Sequence, residues 1–309
     1  MNRPAFLAAL ATLTVLADCG PKKETTSSPQ SGTNRLFAVS FMTLNNPFFV
    51  DLNEGIKTVV ESKGDRLVTL DSQNNSLKQR NDLSDILQQN PAAIFLNPVN
   101  WEGIRGSLIE AQRKKVPIIV VDTDVSDASL VLCQVISDNV GAGRLAAEAL
   151  GQVKPNAKVA ILHLSTANAC IDRVAGFQEA MSKFPGMTLL DTQEGKGTIE
   201  GGRPVMRDLL GRYPDLDAVF PINDPSAIGA FSAVEAAGRT NQVTIVTVDG
   251  SREAAAYIRD GKIHSSSAQF PKEIGRVAAE KAYEHLAGKP VEKDIRIPVK
   301  LVTKENATE

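Results

Sequence analysis

Cysteine and histidine are scarce in this 309-residue chain, three of each. His163, His264 and His285 lie far apart without ligand spacing, and neither Cys133 nor Cys170 sits in a CxxC or Cys/His pattern. Nothing in the sequence therefore builds a metal centre. Charge of one sign is not in excess either: 34 lysines and arginines face 36 aspartates and glutamates, with no basic stripe interleaved with aromatics. That excludes the electrostatic footprint of a nucleic-acid binder. The compact apolar run at 5–17 is too short for a permanent transmembrane helix. Catalytic signatures are equally thin. There is no GxSxG elbow and no GxxxxGKS/T loop, which GKGT at 195–198 echoes without the strand-to-glycine spacing. Gly141, Gly143 and Ala146 mimic GxGxxA, but the next strand, 159–164, ends in no acidic residue to hold a ribose hydroxyl. These glycines read as points of close helix packing. Neither cofactor nor metal is expected, and no enzyme activity.

What is present is a chain longer than one hydrophobic core supports, with 42% hydrophobic and 23% charged residues, so two lobes are expected. The first residues are cationic at Arg3, then apolar over 5–17, then Leu16-Ala17-Asp18-Cys19, the order of an export signal over 1–18. Its end resembles a bacterial lipobox, in which Cys19 carries lipid, although Asp18 replaces the expected small neutral residue. Residues 19–34, rich in Thr, Ser, Pro and Lys, read as a flexible tether. Export makes the compartment disulfide-permissive, and Cys133 and Cys170 then form an even set. They read either as a bridge or as two buried free thiols.

Beyond the tether, short apolar runs alternate with amphipathic helical stretches, the pattern of a parallel sheet built from βαβ units. Strand-like runs cover 36–41, 66–70, 93–96, 118–121, 159–164, 218–221 and 243–248. Helical stretches cover 48–62, 77–89, 104–114, 144–153, 173–183, 205–212 and 225–237. Two segments read as crossovers between lobes, 129–139 and 262–269, the second followed by a helix at 272–287 and a last strand at 295–302. Few residues need to move at such crossings for one lobe to swing against the other.

The stretch LNNPFF at 44–49 stands where the first strand stops and a helix begins. Pro47 suits the first helical position and Asn46 the N-cap, and Phe48 and Phe49 point about 100° apart, too far for one narrow core stripe. The stretch reads either as a helix staple or as an aromatic wall for the apolar face of a sugar ring, with amides for its hydroxyls. Four further apolar runs end in a polar residue: Asn97, Asp122, Asn223 and Asp249. Singly each suits an N-cap; together they converge on the crevice beyond the carboxyl ends of the strands, where open α/β sheets bind ligands. Asp122 and Asp249 as a glycosidase acid and base is the weaker reading, because neighbouring amides and cations are expected to keep both ionised.

The phrases LNNPFFV, LDSQNN, FLNP, SDNVGAG, DRVAGFQ, AVFPIND and VTVDG together resemble the periplasmic sugar-binding proteins of ABC importers, over residues 36–304 and most of all in their ribose-binding branch. The resemblance implies an α/β fold of two Rossmann-like lobes, each a parallel sheet flanked by helices, joined by a three-segment hinge. It places residues 35–137 and 270–298 in an N-terminal lobe, and 138–269 and 299–309 in a C-terminal lobe. It implies a monosaccharide, pentose or hexose, held between the lobes by Asn46, Phe48, Phe49, Asn97, Asp122, Arg173, Asn223, Asp249 and Gln269. The partners it implies are a permease and its ATPase, with the receptor a monomer touching the membrane only through its signal or lipid. The alternative is a receptor of the same fold that reports a sugar-like signal to a membrane sensor. Three positions depart from the ribose pattern: Thr123 replaces an arginine, and Gly197 and Val248 replace aromatics, which implies a larger, less sandwiched cavity.

Overall fold

The computed structural model describes Met1 and residues 34–307. The export signal, the lipid site at Cys19 and all of the tether before residue 34 fall outside the described residues. The first series of elements runs β1 (Leu36–Phe41), α1 (Pro47–Ser62), β2 (Arg66–Asp71), α2 (Ser76–Gln88), β3 (Ala93–Leu96), α3 (Arg105–Arg113), β4 (Ile118–Asp122) and β5 (Cys133–Ser137). The second runs α4 (Asn139–Val153), β6 (Lys158–His163), α5 (Asn168–Met181), β7 (Thr188–Glu194), α6 (Ile199–Arg212), β8 (Ala218–Pro221), α7 (Asp224–Ala236), β9 (Thr244–Asp249), α8 (Arg252–Arg259) and β10 (Ser265–Ala268). The chain then adds α9 (Pro271–Leu286), β11 (Asp294–Ile297) and β12 (Lys300–Val302).

The strands sort into two sheets. One has the order β11-β5-β4-β3-β1-β2 with every pairing parallel. The other has the order β12-β10-β9-β8-β6-β7, parallel except where β12 runs against β10. Strand order reverses between β1 and β3 in the first sheet and between β6 and β8 in the second, the points at which such sheets open a ligand crevice. The chain passes from one sheet to the other three times: from β5 into α4, which packs on β9 and β10; from β10 into α9, which packs on α1; and between β11 and β12.

The inner strands are mostly apolar because helices cover both faces of a parallel sheet. β3 and β4 are buried at every residue. α1 turns Phe48, Leu52, Ile56 and Val60, spaced four apart, toward β1. The stretch expected as one last strand is two, in different sheets, because Pro298 between them has no N–H to give a ladder. β7 and α8 were not foreseen: β7 is a half-exposed edge strand with little alternation, and α8 has eight residues. α4 starts at Asn139, five residues before its expected start, and takes in Gly141 and Gly143, whose helix propensity is low.

Gly143 serves helix packing, as the sequence led us to expect, whereas Gly141 makes room for the Asp138 carboxyl that caps its own helix. A Cβ on Gly143 would stand 1.9 Å from the Arg173 carbonyl oxygen, and one on Gly176 would stand 2.0 Å from that of Val140. The α4 and α5 backbones are thus in direct contact, which fixes the position of Arg173 on α5. Gly176→Ala is expected to lower stability by about 2 kcal/mol or more, because rigid backbone cannot yield to the added methyl. Urea denaturation of the variant checks this, and an unchanged midpoint would remove the close-packing account.

Candidate functional site

Asn46 caps α1 as expected: its Oδ1 accepts the Phe48 N–H at 3.0 Å, and Pro47 opens the helix. The two rings do not project outward as the sequence reading had them. Phe48 and Phe49 are both buried. Phe49 packs against Phe41 of β1 with centroids 5.7 Å apart, and Phe48 stands edge-on to Phe49 at 5.3 Å. α1 starts so close to β1 that its first turn is folded down onto the sheet.

The strand-end residues lie at the carboxyl edges of both sheets. After β3, Asn97 is fully buried; its Oδ1 accepts the Met42 N–H and its Nδ2 donates to Asp122 Oδ2 at 2.9 Å. Asp122 closes β4 with φ +69°, and Asp249 closes β9 with φ +127°. Each ends the fourth strand of its β2-β1-β3-β4 or β7-β6-β8-β9 series, and each holds a left-handed backbone conformation that costs about 1–3 kcal/mol. That turn aims both carboxyl groups into the same crevice. Asn223 caps α7 through the Ser226 N–H, and its Nδ2 donates to the Gly197 carbonyl at 2.9 Å.

Arg173 joins these groups. Its Nε donates to Asn139 Oδ1 and its Nη1 to the Ile222 carbonyl, both at 2.9 Å, with Asp249 Oδ1 at 3.5 Å. Gln269 Nε2 donates to Asp249 Oδ1 at 2.8 Å, while its buried Oε1 has no hydrogen-bond partner among the described residues. The two sheets meet here: the Asn46 side chain, after β1, lies close enough to the Asp249 carboxyl to favour its charged form, and Asp122 feels the charges of both Arg173 and Asp249. Asn46, Asn97, Asp122, Arg173, Asp249 and Gln269 thus form one connected cluster. Asn223 adjoins it through the Ile222 carbonyl, and Phe48 and Phe49 line the base of the Asn46 turn.

Electrostatics correct one expectation. The carboxyl groups were expected to stay ionised beside amides and cations; instead burial pushes Asp122 up to about 7 from 3.8, outweighing the attraction of Arg173 and the Asn97 hydrogen bond. Burial likewise raises Asp249, and raises Asp224 behind it, where repulsion from Asp249 adds to the shift. Raised carboxyls alone do not make a hydrolase; these two also serve as hydrogen-bond acceptors held by Asn97 and Gln269.

Several positioning residues escaped the sequence reading. Gln79, fully buried on α2, donates to the Ser40 hydroxyl and the Asn97 carbonyl and accepts the Val99 N–H at 2.8 Å. It looks like any polar residue of an exposed helix. Asn139 orients Arg173. Asp224 accepts from the Ser251 N–H and the Ser266 hydroxyl behind Asp249. Asn139 and Asp224 each lie inside a quoted motif, but as neighbours of the chosen residues.

Cys133 and Cys170 are free, buried thiols on elements of different sheets, both pushed up to about 12 by burial. The bridge reading is therefore set aside. Lys196 and Thr198 of GKGT border a shallow hollow shared with Glu194 and Glu200, and Thr198 spends its hydroxyl capping α6, which suits no phosphate. Among the described residues no group of three His, Cys, Asp or Glu is placed to hold a metal ion. No helix among them is long and apolar enough to cross a membrane.

Two Rossmann-like sheets that offer buried polar groups to one shared crevice, with three chain crossings beside it, define the class of two-lobed solute receptors. The chain belongs to the periplasmic binding protein family, whose domain model matches residues 37–290. It is 33% identical over 299 residues to the ribose import binding protein of Bacillus subtilis, covering 95% of this chain and 96% of that one. It is 28% identical to the D-ribose/D-allose-binding protein of Pseudomonas aeruginosa, over 86% of this chain and 88% of that protein. Among solved structures it superimposes with a TM-score of 0.85 on an ABC transporter solute-binding protein from Agrobacterium vitis bound to α-D-tagatopyranose, at 25% identity over 89% of this chain and 96% of that one. The arabinose transporter component of Shewanella, bound to L-arabinofuranose, gives 0.83 at 28% identity, over 88% of this chain and 93% of that one. Membership makes the chain an exported, periplasmic, non-enzymatic carrier of an ABC importer.

Because the native Asp122 pKa lies above its unfolded value, its carboxyl is least costly to bury when protonated. The folded state is penalised progressively as pH rises from about 4 through about 7. The ligand-free melting temperature of Asp122→Asn is therefore expected to exceed wild type at pH 8 and to approach it at pH 5. A difference that stays constant across this range in thermal scans would refute the assignment.

Proposed function

We propose that this protein captures a monosaccharide in the crevice between its two sheets and delivers it to an ABC permease and its ATPase. The observation that carries this reading is a surplus of buried acceptors drawn from both sheets. Asp122, Asp249 and the free Gln269 Oε1 converge on one multi-donor guanidinium, Arg173. Such a crevice suits a compact ligand rich in hydroxyl groups. Each O–H donates to a carboxylate or amide oxygen, while Arg173, Asn46 and Asn97 donate to hydroxyl and ring oxygens. Phe48 supplies apolar surface for the sugar's face. The reading also accounts for the raised carboxyls: charges crowded in a closed crevice are relieved when hydroxyl donors reach them. The kinship with ribose, allose, tagatose and arabinose carriers supports the ligand class.

The sheets act as two lobes, residues 35–137 with 270–298 and residues 138–269 with 299–309. Ligand docks on one lobe and closure lets the other complete the hydrogen bonds, so the closed state is favoured because only there does the ligand bond to both. The receptor works as a monomer, and Cys19 anchors it by lipid after its export signal is removed. Thr123, Gly197 and Val248 set the ligand apart from ribose. The Thr123 hydroxyl brings no fixed charge, the Gly197 carbonyl holds Asn223, and Val248 is buried in the core. A hexose or a pentose epimer is therefore the expected ligand.

Thermal-shift and calorimetric screening against pentoses, hexoses, deoxysugars and polyols tests the reading, since a ligand that binds the folded form raises its melting temperature. Asp122→Ala and Arg173→Ala are each expected to abolish the shift without unfolding the ligand-free protein. Loss of a charge-assisted hydrogen bond costs about 2–3 kcal/mol, roughly 30- to 150-fold in Kd. Variants that respond like wild type would move the pocket elsewhere.

A further inference from the structure

α1, α2, α4, α6, α7 and α8 each carry a side-chain cap on their own N-cap residue. α3, α5 and α9 do not; at α5, the helix that bears Arg173, the N-cap is Ala167, which has no side-chain acceptor. The second helical N–H, that of Ala169, is instead accepted at 2.9 Å by Thr123 Oγ1. Thr123 follows β4 of the first sheet, and α5 follows β6 of the second, so the cap is supplied across the crevice. Thr123 is fully buried.

Two neighbouring contacts cross at the same place. Asp124 lies close enough to the Asn168 side chain for that amide to favour its charged form, and is itself held by Arg296 of β11 at 3.2 Å. The Trp101 N–H donates to the Thr166 carbonyl at 3.2 Å, and the Trp101 carbonyl accepts the Ser126 N–H, which ties the two loops of the first sheet together. The 123–126 loop and Trp101 therefore form one unit seated on the N-terminus of α5.

We propose that Thr123 is an affinity-setting residue that acts on lobe closure: it completes the N-terminus of α5 when the lobes are shut and leaves the Ala169 N–H to water when they part. The clasp stabilises the closed arrangement before any ligand arrives. It also seats α5, and with it Arg173, in register with Asp122. Because Thr123 Oγ1 accepts from Ala169, its own hydroxyl hydrogen is left to donate into the crevice. The proposal rests on the two-lobed reading above, but its test needs no sugar, so failure of one is distinguishable from failure of the other.

Cys170 is the reporter. It is 6% exposed, adjoins Ala169, and lies near enough to feel the Asp122 charge from the opposite sheet, so parting of the lobes uncovers it. Full-length protein stripped of bound solute by unfolding and refolding is treated with N-ethylmaleimide, and labelling is read peptide by peptide by mass spectrometry. That separates Cys170 from Cys19 and from Cys133 in the interior of the first sheet. Thr123→Val, near-isosteric but without the acceptor, is expected to speed Cys170 labelling about fivefold, the population change that follows from losing a helix cap. Thr123→Ser is expected to restore the wild-type rate, and Asn168→Ala to speed labelling from the other side of the clasp. Equal Cys170 rates in wild type, Thr123→Val and Asn168→Ala would overturn the proposal. So would failure of Thr123→Ser to rescue, or a parallel rise at Cys133, which would mark general loosening of the fold.

Discussion

Burial of three carboxyl groups against one guanidinium is the constraint on which the rest of this structure depends. Asp122 arrives from the first sheet and Asp249 from the second, Asp224 stands behind the latter, and Arg173 faces them from α5. Acceptors brought together in this way cannot all be satisfied by the protein. Burial answers by raising the carboxyl pKa values, and the chain answers with a surrounding set of donors: Asn97, Gln269, Ser266 and the Ser251 N–H. A crevice holding buried acceptors beyond those its own donors satisfy, the Gln269 Oε1 among them, is costly to fold, and such a surplus suits a ligand with several hydroxyl groups.

The fold delivers those groups by repetition. Two sheets of similar order end their fourth strands in aspartate at a left-handed backbone angle, so the same local strain aims a carboxyl inward from both sides. Arg173 reaches the crevice because glycines let α4 and α5 touch at the backbone. Its planar fork is held by Asn139 and the Ile222 carbonyl, and little rotamer freedom remains to be lost on binding. Three passages of the chain join the two sheets, among them those at Asn139 and Gln269 beside this point, and crossings of this kind allow hinge motion with change at only a few residues.

Elements whose apolar period matched their burial were readable in advance. β3 and β8 fall at their expected limits, and α1 differs by its opening proline, because Asn46 and Pro47 are unambiguous start signals. Signals failed where local and tertiary demands disagree. Gly141 and Gly143 argue against a helix on propensity alone, yet Gly143 is required there because the α5 backbone lies against it and Gly141 leaves space for the capping Asp138 carboxyl. The run 295–302 reads as one strand, yet its two halves belong to different sheets. The serines of β10 are buried without apolar side chains, and Ser266 and Ser267 find partners in Asp224 and the Ala142 carbonyl. Of the site, the strand-end residues were legible because four apolar runs close in a polar residue, a repetition that capping of single helices does not require. Gln79, Asn139 and Asp224 were not, since their importance lies in what they touch.

By itself the sequence determined the class of fold, the alternation of strand and helix, and a group of side chains facing the carboxyl edges of the strands. Those follow from period and from turn chemistry, which act over a few residues. Tertiary structure alone decided that Asp122 and Asp249 share one desolvated crevice and are raised in pKa, that Phe49 belongs to the core, that Cys133 and Cys170 stay apart, and that α5 borrows its cap from Thr123 of the other sheet. Each of these depends on groups distant along the chain, whose meeting is fixed by sheet order and helix packing.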